Sequence, residues 1–430
     1  MDLGASEDAT VPVPAQNDSI NQQVTKNSWM ATLVAGMGMG FDAYVINLPV
    51  IMLPVMAAFY HVNAASLAAV QAIFMFGYFF GTMGFGVIAD YLGRRFTLGA
   101  SILGFSITTA LNGLAPTLSL FALGRFVTGV LGGGEQGLGS VYACEAWPDK
   151  WRGWGTGNMF SFYPLGVMMT IGALMFIVPY YGWQGAFYLT LVIGIIIFAV
   201  RMWIMESGRF AWTRQQVKQD KIHRSFSMQE IFQNRSLRRP WLSTLLINLG
   251  DNFNYHGISV IALIWLRQTF HLAPAIFFPV ILLLYAIQFG ECVLGSYLLD
   301  IIGRRPMGII CSLAIAIGVP LLSFQTNLTT AIMVAAFSWC IALGPAWSTK
   351  LTLTPEVFPT EFRGTGIAMT LGFGRLTAVL APAVEAFLLL EFGVNRALWV
   401  FLISGLVALV GYLLAPELRR KPIADLMPAA

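Results

Sequence analysis

Asp42 is the one charged residue in the apolar stretch GMGMGFDAYVINLPV, residues 36–50. An isolated charge in a hydrocarbon layer costs on the order of 3 kcal/mol, so it must pair or face a water-filled cavity. Arg125 is its candidate partner: at about 1.5 Å per helical residue, Asp42 lies roughly 10 Å and Arg125 roughly 9 Å below the same outer surface. An acid beside an arginine can take or release a proton as the arginine turns between it and an anionic substrate, which makes the two a candidate proton-coupling pair. A fixed structural ion pair is the alternative.

Arg375 falls near the middle of another apolar stretch. A guanidinium facing a cavity suits bidentate capture of a carboxylate, so Arg375 is the candidate anion anchor. The run NLGDNFNYHG (248–257) is unusually polar. Asn248, Asp251, Asn252 and Tyr255 recur at i, i+3, i+4 and i+7 and share one helix face, with His256 a turn after Asn252. Together with Gln288 they are candidate substrate contacts, and Gly250 and Gly257 would let this helix bend or partly unwind. His256 could relay protons, although a lone His among amides is more often a structural hydrogen-bonding group. Phe160, Tyr163, Trp339 and Trp347 could stack on a ligand or simply pack. Glu135 and Glu291 lie toward one membrane face, where pairing with loop arginines is expected, and Glu385 reaches the outer end of its stretch. Cys144, Cys292, Cys311 and Cys340 have no metal-ligand spacing and read as apolar filler. No phosphate-binding GxxxxGK[ST] run and no nucleophile–base set is present, so no cofactor, no ATP drive and no enzyme is expected.

The elements that position these residues follow from composition. Of 430 residues 57% are hydrophobic and 11% charged, and mean hydropathy is +0.70. Twelve apolar stretches recur, at roughly 29–53, 67–90, 96–114, 119–142, 154–178, 184–205, 240–268, 277–299, 306–323, 328–349, 364–390 and 394–415. Each approaches the ~20 residues that cross the bilayer as helix, and none shows the alternation of a barrel strand. The polar first residues show no cleavable signal peptide. Apart from Arg267, Arg396, Arg125, Arg375 and Arg201, the last near the end of the sixth stretch, the Lys and Arg residues fall in the tails, the alternate loops and the central loop. Both termini are therefore expected in the cytoplasm. The net charge of +4 reflects this topology and gives no support to nucleic-acid binding.

Residues 207–239 form the one long hydrophilic stretch, dividing the chain six plus six; within it SFSMQE offers a capping box, Ser227 with Glu230, for a short surface helix MQEIFQNR. The expected layout is a tail (1–28), an N-terminal bundle (29–206), a central loop (207–239), a C-terminal bundle (240–415) and a second tail (416–430). The halves repeat. GVIADYLGRR (86–95) answers to GSYLLDIIGRR (295–305), with Asp90, Gly93, Arg94 and Arg95 at an offset of 210 from Asp300, Gly303, Arg304 and Arg305. EAWPDKWRG (145–153) and EVFPTEFRG (356–364) share E-x-x-P-x-x-x-R-G at an offset of 211.

These loops and the six-plus-six layout resemble the major facilitator superfamily over nearly the whole chain after residue 27. GRFVTGVLGGGEQGLGSVYACEAWP (124–148) is most similar to its branch of sialate and lactate proton symporters, with aromatic-acid and sugar porters close behind. The resemblance implies an all-α membrane protein of twelve transmembrane helices in two pseudo-symmetric bundles. Asp90 at the end of span two can meet the open N–H groups at the start of span eleven. With Arg94, Arg95, Glu145 and Arg152, and with Asp300, Arg304, Arg305, Glu356 and Arg363 in the other half, it forms a candidate cytoplasmic gate. The bland alternative is that such loops only fix topology.

The expected function is secondary active transport, with symport of a small organic anion, a monocarboxylate or sugar acid, and protons. A sugar or polyol carrier is the rival within transport; a non-transporting sensor has little support because no signalling domain is visible. The expected partners are the substrate, protons and the bilayer, with a monomeric functional unit in a plasma membrane, the inner membrane of a bacterium.

Overall fold

The computed structural model describes residues 24–203, 235–341, 344–358 and 363–421. Most of the expected surface helix at 228–235, most of the central loop and most of both tails lie outside the described residues. Among those described, the regular elements are all helical.

The first half comprises α1 (Lys26–Ile51), the short α2 (Leu53–Tyr60), α3 (Ala64–Leu92), α4 (Arg94–Asn112), α5 (Leu118–Gly132), α6 (Gly134–Ala146), α7 (Arg152–Asn158), α8 (Phe162–Phe176) and α9 (Val178–Met202). The second comprises α10 (Arg235–Phe270), α11 (Pro274–Ile301), α12 (Arg304–Leu321), α13 (Leu328–Ala335), a π turn (Ala336–Cys340), α14 (Pro345–Val357), α15 (Arg363–Ala397) and α16 (Val400–Leu414). Counting α1–α2, α5–α6, α7–α8 and α13–α14 as single interrupted passes, the described helices make twelve. Eight of these are long and apolar enough to cross a membrane by themselves. The other four, α4, α5–α6, α10 and α16, complete the bundle by packing.

Chain order and starts explain themselves locally. Thr25 and Ser28 form a capping box at the start of α1, and Asn63, Thr117 and Asn327 accept from backbone N–H groups at the starts of α3, α5 and α13. Gly93 and Gly303 adopt φ of 102° and 109°, which lets the chain reverse directly from α3 into α4 and from α11 into α12. The backbone outliers repeat as the loops do: His61 pairs with His271, Gly93 with Gly303 and Gly182 with Gly393, all at positive φ.

Between the halves α3 packs along α15, and α7 along α11. The largest apolar cluster joins them, taking Met39, Phe160 and Tyr163 from the first half and Tyr255, Trp265 and Trp347 from the second. Two sequence expectations change. Span seven does not unwind, because α10 is continuous and its glycines are packing surfaces: a Cβ on Gly250 would meet the Ser404 carbonyl and Ala408 at under 3 Å. Spans four and ten, read as unbroken, are interrupted at Gly133 and at the π turn before Pro345. The kink at Gly393, φ 75°, divides α15 and ends span eleven, and the helical residues 394–397 after it open the last pass near the expected position before α16.

Candidate functional site

Asp42 lies on α1 with no solvent exposure. Its Oδ2 accepts hydrogen bonds from Tyr78 Oη at 3.1 Å and Gln136 Nε2 at 2.8 Å, while Oδ1 has no partner. Gln136 in turn accepts from Arg375. An acid of one half is thus joined to an arginine of the other through one amide. Gln136 reaches this position because α6 restarts at the break: a Cβ on Gly133 would stand 2.3 Å from the Thr82 backbone nitrogen, so its absence lets pass four cross α3 backbone to backbone. The Arg375 guanidinium carbon also sits 4.6 Å from the Tyr78 ring centre and 5.7 Å from that of Trp347.

Arg125 is not the direct partner of Asp42. It is buried nearby, but donates at 3.4 Å to Val45 O and to Gln71 Oε1 and stacks 3.9 Å from the Phe74 ring centre. Residue count fixes depth along a helix but not the direction in which a long side chain turns. That is why two charges at one level fail to meet.

The polar face of α10 is divided. Asn248 and Asn252 donate to carbonyls one turn earlier, at 2.8 and 2.7 Å, and pack beside Gly374. Asp251 accepts from Tyr412 Oη at 3.1 Å. Tyr255 meets the central aromatics: Tyr163 at 5.2 Å and Trp347 at 4.9 Å, with Phe160 stacked on Trp347 at 5.3 Å between ring centres. His256 lies edge-on to Tyr255, its Nε2 without a partner, and buried Gln288 approaches Gly344 at the break in span ten.

One buried charge has a partner other than the one expected, and another is buried where no partner was asked of it. Glu135 pairs not with a loop arginine but with Arg201 at the end of α9, at 2.7 and 2.9 Å, both side chains fully buried. Glu385 is buried against Gly257 and Phe401. Two further residues were overlooked. Gln136 is uncharged and stands beside the conspicuous Glu135, yet it shares a three-turn spacing with Arg125. Lys350 was grouped with the loop bases, but α14 carries it into the interior, where Nζ lies 3.1 Å from the Trp347 ring centre.

At the end of the bundle bearing the repeated loops, the halves clasp each other twice. Asp90 accepts from Thr365 N and Oγ1, both at 2.9 Å, at the start of α15, and pairs with Arg94 at 3.0 Å. Asp300 accepts from Gly153 N at 2.9 Å and Trp154 N at 2.7 Å at the start of α7, and pairs with Arg304 at 2.9 Å. Arg363 crosses to Glu145 at 2.9 Å, and Arg152 to Glu356 at 3.5 Å, where Arg304 also binds at 2.8 Å. Arg95 and Arg305 turn elsewhere, donating to the carbonyls of Met202 and Leu413 at the ends of their own halves. Each acid therefore caps a helix of the opposite half, where unsatisfied N–H groups and the positive end of the helix favour it.

Twelve apolar passes in two matched sixes, closed around a buried polar centre, define a multi-pass membrane transporter. The sequence profile of the Major Facilitator Superfamily matches residues 29–293 and 252–427, and the chain belongs to that superfamily. It is 23% identical to the niacin transporter NiaP of Acinetobacter baylyi, over 94% of this chain and 98% of that protein. It is 25% identical to the benzoate transport protein of the same organism, over 86% and 85%. Its fold matches the solved structure of the proton:xylose symporter XylE bound to 6-bromo-6-deoxy-D-glucose, with a TM-score of 0.79 and 19% identity, over 94% of this chain and 99% of that one.

Proposed function

We propose that the protein carries a small organic acid inward together with protons, and that its substrate is a monocarboxylate. The observation that carries this is the Arg375–Gln136–Asp42 chain across the two halves. An incoming carboxylate offers Arg375 a planar, charged partner in place of a neutral amide oxygen. Gln136 then loosens from Asp42, whose remaining oxygen is free to take a proton, so that anion and proton share one centre. Phe160, Tyr163, Tyr255 and Trp347 surround this place with aromatic faces, which favours an acid on a flat aromatic ring over the saturated, hydroxyl-rich sialate or the small aliphatic lactate type. The names of the niacin and benzoate relatives agree with that preference. Arg125 serves here as a neighbouring positive charge and the polar face of α10 as part of the wall.

The clasped end is the cytoplasmic gate on this reading, both termini lie in the cytoplasm, and one chain holds a complete site. Its closure favours the state that faces outward. The carboxylate assignment is tested by calorimetric binding of benzoate to purified protein alongside melting in detergent. Arg375→Gln should weaken binding roughly 10- to 150-fold, the loss of a charged hydrogen bond in a dry site. Arg375→Lys should recover part of it. A stable Arg375→Gln protein with unchanged affinity would put the neutral sugar reading first.

A further inference from the structure

We infer that Lys350 is a second substrate contact, which reads a hydrogen-bond acceptor on the ring of the acid, away from its carboxylate. The inference rests on the carboxylate reading above and adds the substrate's second recognised group. Lys350 is fully out of solvent, and its Nζ has no hydrogen-bond partner. An ammonium with three donors unused in the interior is costly, and such a group is retained where something else satisfies it. It is not simply the counter-ion of Asp251. The two are near enough to interact electrostatically, yet no ion pair closes between them, and Asp251 Oδ1 is left without a partner.

The position of the ammonium is more telling than its burial. Lys350 Nζ is 3.1 Å and Arg375 Cζ 5.7 Å from the centre of the same indole, that of Trp347. The two cations are therefore no further apart than those distances combined. Phe160 and Tyr255 border the same indole. A flat acid held at Arg375 and lying along these rings brings the flank of its ring, not its far end, within reach of Lys350. Because Asp251 already balances the charge of Lys350, a neutral acceptor such as a ring nitrogen or a hydroxyl oxygen satisfies the ammonium without adding a second full negative charge.

Calorimetry on the full-length protein would compare benzoate with pyridine-3-carboxylate, pyridine-4-carboxylate and 4-hydroxybenzoate. At least one acceptor-bearing ring should bind roughly 10- to 150-fold more tightly than benzoate. Lys350→Met alone strands Asp251, so Lys350→Met combined with Asp251→Asn is the informative variant, and in it the ratio should fall close to one. A wild-type protein that binds benzoate as tightly as all three overturns this inference alone, as does a double variant that keeps the preference. Failure of the wild type to bind any of these acids overturns it together with the carboxylate reading. The wild-type comparison decides even where the double variant does not fold.

Discussion

Asp42 and Arg375 meet through the side chain of Gln136 and not directly, and that determines what single substitutions should do. Asp42→Asn keeps an acceptor for Tyr78 and Gln136 but cannot carry a proton, so counterflow of substrate should persist while pH-driven accumulation is lost. Full accumulation by the mutant in proteoliposomes would remove Asp42 from the coupling step. Gln136→Leu takes away both links at once and leaves two buried charges without their bridge; affinity for the acid should fall and the protein should melt earlier. Lone charges in apolar runs were easy to read, because burying them is expensive enough to demand a reason. Gln136 carries no charge and Lys350 sits just past the end of a hydropathy window, so neither announced itself. Whether Arg125 pairs with Asp42 depended on side-chain direction, which spacing along one helix does not encode.

Helix crossings explain which expectations about elements held. Long apolar stretches located the passes because each must bury or present apolar surface over the whole membrane thickness. The breaks inside passes four and ten depend on what lies across from them, which a single stretch cannot show. Gly133 is the clearest instance, since its missing Cβ is what admits α3. Gly133→Ala should therefore lower the melting temperature and the yield of folded protein, an overpacking cost of about 1–3 kcal/mol. Gly84→Ala on α3 itself is the control: a Cβ there has open space and should be neutral or slightly stabilising. Equal melting of the two variants would mean that the crossing can give way.

At the scale of the whole molecule, the clasp makes the two halves hold one another by the same means twice. Asp90→Asn should raise labelling of a cysteine placed on the wall of the inner cavity and slow transport, without loss of insertion; unchanged labelling and rate would leave these loops a topological role. Exchanging the charges of Glu145 and Arg363 should restore only part of what either single reversal loses, because Glu145 also faces Arg94 at 3.7 Å and Arg363 also donates to the carbonyls of Pro355 and Phe358. The π turn of pass ten bears on where this symmetry ends. The starts of passes four and ten, Leu118 and Leu328, keep the offset of 210, whereas Glu145 and Glu356 at their ends stand 211 apart. The second half thus carries one residue more inside pass ten, and a π turn is the helical form that holds one residue more than an α turn. Downstream of it, the position equivalent to Gln136 is Trp347. A single extra residue, held in the helix as a wider loop of backbone, marks the point past which the two halves of the chain are no longer interchangeable.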